Sequence, residues 1–578
     1  MKKLFSILLV ACLLMSVCAG AMAEGTKVLE SSDYSQFPLV KEGEKLTITV
    51  AHIRDAAYGM DVEDMWFWTW AEKVTGIDFE VQQILSSSKG DLLPLMFAGG
   101  DVPDLLLGLG LTTAEISRYG VAEGQLKDLT EWITPERMPY LSAWFEAYPD
   151  SKALCTTSDG AIYPLPGYQN IKYNHGVAGN FARVNTVWME ANNQEAPKTL
   201  DDLVNLLYAY KDANPDATPI AAHATKEATN GTGGSLMTIF LNAYGFLGDH
   251  TEYGHNVSIK DGKAVLAAGH QDFKAYLELM NKFYTDGILM KDYFTADDLA
   301  VQTLIQENQS VLTGQVYHII PEVERFQQWK ALSPVSSEYS AEPMWVASNP
   351  YKVGGALIGA KITDEELDAV LRFLDFFYCE IGGLYLWDGP AAGTEDTLGM
   401  VQGWIHDYTK GATGTRVFLD VDVAKKYSSG TEYVKGIIGT NANTFGNRSH
   451  SLTNDKLTYM YELTQYVQDP TLANFVPYAW SEEHGDGWDR IWAKANVGPY
   501  TRTDAFPAIV YYDEDTQESI DEIRMVMESH IETNVAKFIT GARSLDEFEQ
   551  FVKEIEDLGL RDLEEIYQEA YDAYMAAM

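Results

Sequence analysis

Residues 91–108, Asp91-Leu-Leu-Pro-Leu-Met-Phe-Ala-Gly-Gly-Asp-Val-Pro-Asp-Leu-Leu-Leu-Gly108, decide the fold. Leu92 to Ala98 predict a short helix, Gly99 and Gly100 supply the left-handed residues that end one, and Pro103 forces an extended path. The apolar run Leu105–Leu107 then reads as a strand covered on both faces, and Gly108 permits close approach at its end. In an open α/β sheet the carboxyl ends of strands face the ligand crevice, so Gly108, Leu109 and Gly110 are expected to line a cleft.

Working outward, Leu46 to Val50 alternates and is β-branched, predicting a first strand with Arg54 at its cleft end. Asp61 opens a helix in which Val62, Met65, Trp66, Trp70 and Val74 share one face and which Gly76 ends. Trp66, Trp68 and Trp70 are expected in the core rather than on a ligand. Phe79 to Ile84 and helices around Thr113 to Tyr119 complete a βαβα alternation, so the first lobe is α/β with a mostly parallel sheet.

These residues carry a family resemblance. The 91–108 segment resembles the "ASGDLPDI" segment of bacterial extracellular solute-binding proteins, family 1, the carbohydrate group that feeds ABC importers and includes LipO-like proteins. Asp159 to Pro166 is similar to that family's "DGKxYGLP" crossing between lobes, with Pro164 where relatives have Gly. Ala196 to Asp202 resembles "vPkTlDE", with Thr199 and Asp202 forming a helix-start box. Phe273 to Phe294 resembles "eaLeflnkLYkeGLldpdf", and Phe538 to Asp572 matches the family's terminal helices. The segment around Arg183 stands where the family has "lwiRkDWLdkLG", but Asn185 and Thr186 replace its Asp-Trp pair.

The resemblance implies a two-lobed, periplasmic-binding-protein-like fold (type II) with the ligand cleft between lobes. It divides the chain into a signal segment 1–23, a linker 24–44, one lobe of 45–163 plus 316–385, and another of 164–315 plus 386–578 with the C-terminal helices. Crossings are expected near 163–167 and 315–321. Tyr163 would stand at the hinge and cleft.

Bulk properties narrow the partners. With 84 acidic against 42 basic residues in 578, the chain repels phosphate backbones and anionic membrane, so no nucleic acid is expected. Met1-Lys2-Lys3, an apolar run to Val17, and Ala21-Met22-Ala23 read as a secretory signal peptide cleaved before Glu24. Losing Lys2 and Lys3 and no acid takes the formal charge from −42 to −44. Cys18 follows a bulky Val and Cys12 leaves a very short hydrophobic run, so a lipid anchor is disfavoured against a free exported protein, in the periplasm or at the cell surface. Cys155 and Cys379 then remain, and they read as buried free thiols rather than a disulfide framework. After the signal no run is long and apolar enough to span a bilayer.

No nucleophile elbow, H-E-x-x-H, Walker sequence, Rossmann fingerprint or zinc-spaced cysteine pair is present. Many relatives carry a calcium loop of the form D-x-N-x-N-G-K-x-D-E. Here Asp212-Ala213-Asn214-Pro215-Asp216-Ala217-Thr218-Pro219 keeps oxygens at alternate positions but lacks the Gly and the closing carboxylates, so a structural turn is expected and no metal or cofactor.

Sugars stack apolar faces on Trp and Tyr while their hydroxyls need Asp, Asn and Arg. Trp387 and Trp404, in Gly/Pro-rich loops, lead the expected ligand contacts, followed by Tyr163, Asp388, Arg183, Asn180, Trp345, Trp480 and Arg54. The reading is the solute-binding component of an ABC importer, a monomer that captures a sugar or oligosaccharide between lobes and delivers it to separate permease subunits. A carrier of peptides or another polar solute, a sensor feeding a histidine kinase, or a secreted carbohydrate-active enzyme are the alternatives.

Overall fold

The computed structural model describes residues 37–54, 61–168, 181–224, 234–314, 316, 319–320, 322–347, 349, 351–379, 382, 386, 404–407, 415–418, 446–447 and 485–577. Among these the chain forms two lobes, each with its own sheet and core.

The first lobe is built on a sheet ordered β15-β4-β12-β3-β1-β2 among the described residues. Its strands are β1 (Thr47–Arg54), β2 (Asp78–Leu85), β3 (Leu105–Leu107), β4 (Leu165–Tyr168), β12 (Tyr351–Ile358) and β15 (Gly446–Asn447). β1 pairs in parallel with both β2 and β3, as the alternation predicts. The helix before β3 runs Lys89–Gly99 and ends at Gly100 with φ 67°, the left-handed stop read from the sequence.

The helix Trp66–Thr75 departs from the one-sided pattern: Trp66, Phe67, Trp68 and Trp70 are all buried. Phe373 and Phe377, from and just beyond the helix Asp364–Asp375, pack on Phe67 and Trp70, so the helix is wrapped on faces that a surface helix would leave wet. Cys155 and Cys379 are buried free thiols.

The second lobe centres on a sheet ordered β10-β5-β9-β6, of Trp329–Ala331, Arg183–Asn185, Leu312–Thr313 and Ile220–Ala221. The helix Leu200–Ala213 starts with a capping box in which Thr199 accepts from Asp202 N–H, as its sequence predicts. Asp261 (φ 52°) and Gly262 (φ 76°) turn the hairpin of β7 (Val257–Lys260) and β8 (Lys263–Leu266). Helices Glu514–Thr540, Phe548–Asp557 and Leu560–Ala577 bury Ile531, Val535, Phe538, Phe551 and Ile555 in this lobe's core. Gln568 Oε1 and Glu564 Oε1 accept from Ala264 N and Leu266 N at 2.8 and 3.1 Å, so the tail satisfies the free edge of β8.

The lobe boundary differs from the expected one. Val316, Ile319 and Ile320 pack in the second lobe's core, and β10, which follows them, pairs with β5. The chain returns to the first sheet only between β11 (Trp345–Val346) and β12. The 315–321 segment reads like a crossing because a strand end and a proline coincide there; the partner strand that keeps it in the second lobe lies beyond it. Adjacent residues Tyr511 and Tyr512 pack against opposite lobes, Tyr511 on the cluster that contains Ala51, Leu106 and Leu357, Tyr512 on the second lobe's core.

Candidate functional site

Strand direction places the cleft. In the first lobe the carboxyl ends of β1, β2 and β3 and the amino end of antiparallel β12 share one edge. In the second, Arg183 at the amino end of β5 is in register with Ala331 and Thr313, and Thr313 with Ala221, so the carboxyl ends of β6, β9 and β10 share an edge. Residues 347–350 join the second lobe to the first edge, a span of at most about 3.5 Å per residue.

On the first edge, the loop after β3 folds back onto β12. Gly108 N donates to Gly355 O at 2.7 Å and Leu111 N to Gly354 O at 3.1 Å. Gly354 has φ 79°, and a Cβ there would lie 2.0 Å from Leu111 O, so only glycine permits this closure. Leu109 and Leu111 are buried, leaving Gly110 as the half-exposed residue of the stretch expected to line the cleft. Lys89 Nζ donates to Gly110 O at 3.0 Å.

Arg54 ends β1 and meets Asp61 at 3.0 Å, while Gln83 Nε2 donates to the same carboxylate at 3.0 Å. Its side chain keeps 22% exposure, so a charged group stands at the rim. His52, two residues earlier, is buried edge-on against Trp68, and desolvation lowers its pKa to about 4. It is a neutral core imidazole whose Nδ1 lies 2.6 Å from Ile53 O.

Tyr163 is 6% exposed. Its ring lies over Gly120, where a Cβ would come within 3.0 Å, and its hydroxyl donates to Asp159 Oδ2 at 3.2 Å. Burial, reinforced by the Asp159 charge, pushes its pKa up to about 12.

On the second edge, Arg183 is buried and four hydrogen bonds hold its guanidinium. Nε donates to Asp489 Oδ1 at 2.7 Å and NH2 to Oδ2 at 2.5 Å, a bidentate pair. NH1 donates to Phe181 O at 2.9 Å and also to Gly314 O, and the group stacks 4.1 Å from the Phe181 ring centroid. Arg183 thus ties the incoming chain, the end of β9 and the helix Gly485–Asn496 into one wall.

That helix brings a cluster the sequence reading missed. Trp488 and Trp492, four apart and 5.7 Å between centroids, flank Lys330 on β10, whose Nζ is 4.1 Å from the Trp492 ring. Trp488 Nε1 donates to Trp329 O at 2.9 Å and Asn496 Nδ2 to Ala331 O at 2.7 Å. The helical spacing of the tryptophans was the available signal.

Trp345, expected in a loop, lies in β11 paired with β16 (Thr501–Arg502) and is 2% exposed in the core. Trp404 belongs to β13 (Trp404–Asp407), paired with β14 (Thr415–Phe418); its side chain lies outside the described residues. Asn180, Trp387, Asp388 and Trp480 also lie outside them. No group of three or more His, Cys, Asp or Glu that could hold a metal occurs among the described residues.

No family model matches the chain. Among curated proteins it is 26% identical over 229 residues to the fructooligosaccharide ABC transporter substrate-binding protein FusA of Streptococcus pneumoniae, covering 39% of this chain and 41% of that protein. It is 21% identical over 326 residues to the lipoprotein LipO of Bacillus subtilis, covering 53% and 59%. The matches thus span less than two thirds of either relative. Among solved structures, FusA in complex with kestose superposes with TM-score 0.67 at 18% identity, over 92% of this chain and 100% of that one. The same values hold for an EF-hand mutant of FusA with fructo-nystose. An HMO-binding solute-binding protein of Bifidobacterium longum infantis gives TM-score 0.68 at 16% identity, over 92% and 99%. The chain has the two-lobed fold of solute-binding proteins, and its named relatives are binding proteins rather than enzymes.

Proposed function

We propose that the chain is the extracytoplasmic solute-binding component of an ABC importer that captures an oligosaccharide between its lobes and presents it to a membrane permease. The observation that carries this reading is the likeness over 92% of the chain to FusA in complex with kestose and to an HMO-binding solute-binding protein. Ligand contacts available only when both edges meet would favour a closed arrangement. Arg54, at the rim of the first edge, is the described side chain best placed to meet a hydroxyl; Trp387, Trp404, Asp388, Asn180 and Trp480 complete the proposed contact set.

The signal segment would be removed before Glu24 and the mature chain would work as an exported monomer. Among the described residues no helix is long and apolar enough to cross a membrane.

The test is a thermal-shift screen of the chain from Glu24 onward against kestose and other neutral oligosaccharides, uronates and peptides, each hit being chromatographed afterwards. At a hundred times its dissociation constant a ligand adds about 2.7 kcal/mol of stability. A shift with intact saccharide supports the reading. Cleaved saccharide would make the protein an enzyme, and a shift with peptides alone would remove the sugar and keep the fold.

A further inference from the structure

The loop after the helix Leu200–Ala213 resembles a calcium loop in sequence, yet its oxygens do not converge. Asp212 and Asp216 are exposed to solvent. Asn214 turns back on its own helix, where its N–H and Nδ2 both donate to Tyr210 O at 2.9 and 3.0 Å. Calcium requires about 6 to 8 oxygens around one point, and these residues do not provide them.

A different cation closes the loop. Lys211 Nζ donates at 2.8 Å to the carbonyl of Ala217, which is 3% exposed and whose N–H returns to Asn214 O at 3.0 Å. The same ammonium lies against Gly287, where a Cβ would come within 3.3 Å. Gly287, at φ 70°, ends the turn after the helix Phe273–Thr285, and the next residue's carbonyl, Ile288 O, accepts from Ile220 N at 3.1 Å. Lys211 therefore sits where the helix 200–213, the entry to β6 and the 286–288 turn meet. A glycine at 287 leaves the room that the ammonium occupies.

We infer that the Lys211 ammonium is the structural cation of the 212–218 loop, so that this loop, and the β6 strand it leads into, are held without calcium. A tethered monovalent ammonium is held here by one well-placed carbonyl, where a free calcium ion would need about 6 to 8 converging oxygens. The inference stands whether or not the chain binds a saccharide.

The experiment uses the full chain from Glu24 onward, stripped with EDTA. Calcium chloride titrated into it by calorimetry gives no binding heat, and its unfolding midpoint is the same in EDTA and in millimolar calcium. Lys211→Met, which keeps the aliphatic stem, lowers the midpoint by roughly 2–4 °C, the shift one such contact gives in a domain of this size. Lys211→Arg, which keeps a cation, lowers it less, and calcium restores neither. Saturable calcium heat with a raised midpoint in the unsubstituted chain overturns the inference, as does a Lys211→Met midpoint equal to the parent's. Should Lys211→Met fail to fold, the calcium titration of the unsubstituted chain and the Lys211→Arg midpoint decide the matter.

Discussion

Arg54 ends a strand of the first lobe's sheet, Arg183 begins a strand of the second lobe's, and the two have opposite fates. Arg54 ends β1 with its side chain 22% exposed and pairs with Asp61, whose own exposure is 51%. Arg183 and Asp489 are 5% and 9% exposed and lock one another, with two backbone carbonyls taking the remaining contacts. Two arginines that look alike in sequence therefore differ: one pairs with a carboxylate at a partly exposed strand end, and the other is buried where β5, the end of β9 and the helix Gly485–Asn496 meet. The difference is set by burial: a guanidinium removed from water must saturate its donors within the protein.

The largest effect should come from breaking the buried pair. Asp489→Ala leaves Arg183 charged, buried and unpaired, and should cost about 3–5 kcal/mol, read as a lower denaturant midpoint at unchanged slope. A loss below about 1 kcal/mol would show that the wall does not depend on this pair.

Next is a pH effect deep in the second lobe. Burial raises the pKa of Glu252 from 4.5 to about 7, with Tyr253, Tyr276, Tyr293 and Glu532 around it. A carboxyl raised in the folded state contributes stability below pH 4.5, and that contribution is lost as pH rises towards 7 and beyond. Between pH 5 and pH 8 the loss should be about 2–3 kcal/mol, and Glu252→Gln should remove that share of the slope. Parallel pH profiles for parent and variant would contradict the assignment.

Gly354→Ala should cost about 1–3 kcal/mol, because the residue sits at φ 79° against Leu111 O. The same substitution should loosen the 108–111 loop, seen as faster hydrogen exchange there. The smallest effect belongs to Arg54→Ala, under about 1 kcal/mol in stability, since an exposed pair contributes little. If Arg54 meets the ligand, the same variant weakens saccharide binding several-fold, and equal affinity would remove it from the contact set.

What could be read in advance was local. The stop at Gly100 and the box Thr199–Asp202 each depend on a few neighbouring residues, and each forms. What could not be read was long-range. Arg183 and Asp489 are 306 positions apart, so nothing near Arg183 shows that its donors are taken. Trp345 looks like a loop residue until β16 pairs with it, and Val316 looks like a crossing until β10 returns to β5. Phe67 and Trp70 of helix 66–75 are both buried because Phe373 and Phe377 arrive from three hundred residues away. Of the expected contact set, Arg54 ends β1 with its side chain partly exposed, while Tyr163, Arg183 and Trp345 are packed inward.

A saccharide that joins the two lobes should compact the molecule, and small-angle X-ray scattering reads that change. The chain from Glu24 onward is measured alone and with the saccharide that gives the largest thermal shift, kestose being tried first. A smaller radius of gyration with saccharide, absent with a non-binding sugar, is the predicted result. An unchanged radius at saturating saccharide would contradict closure of the lobes upon their ligand.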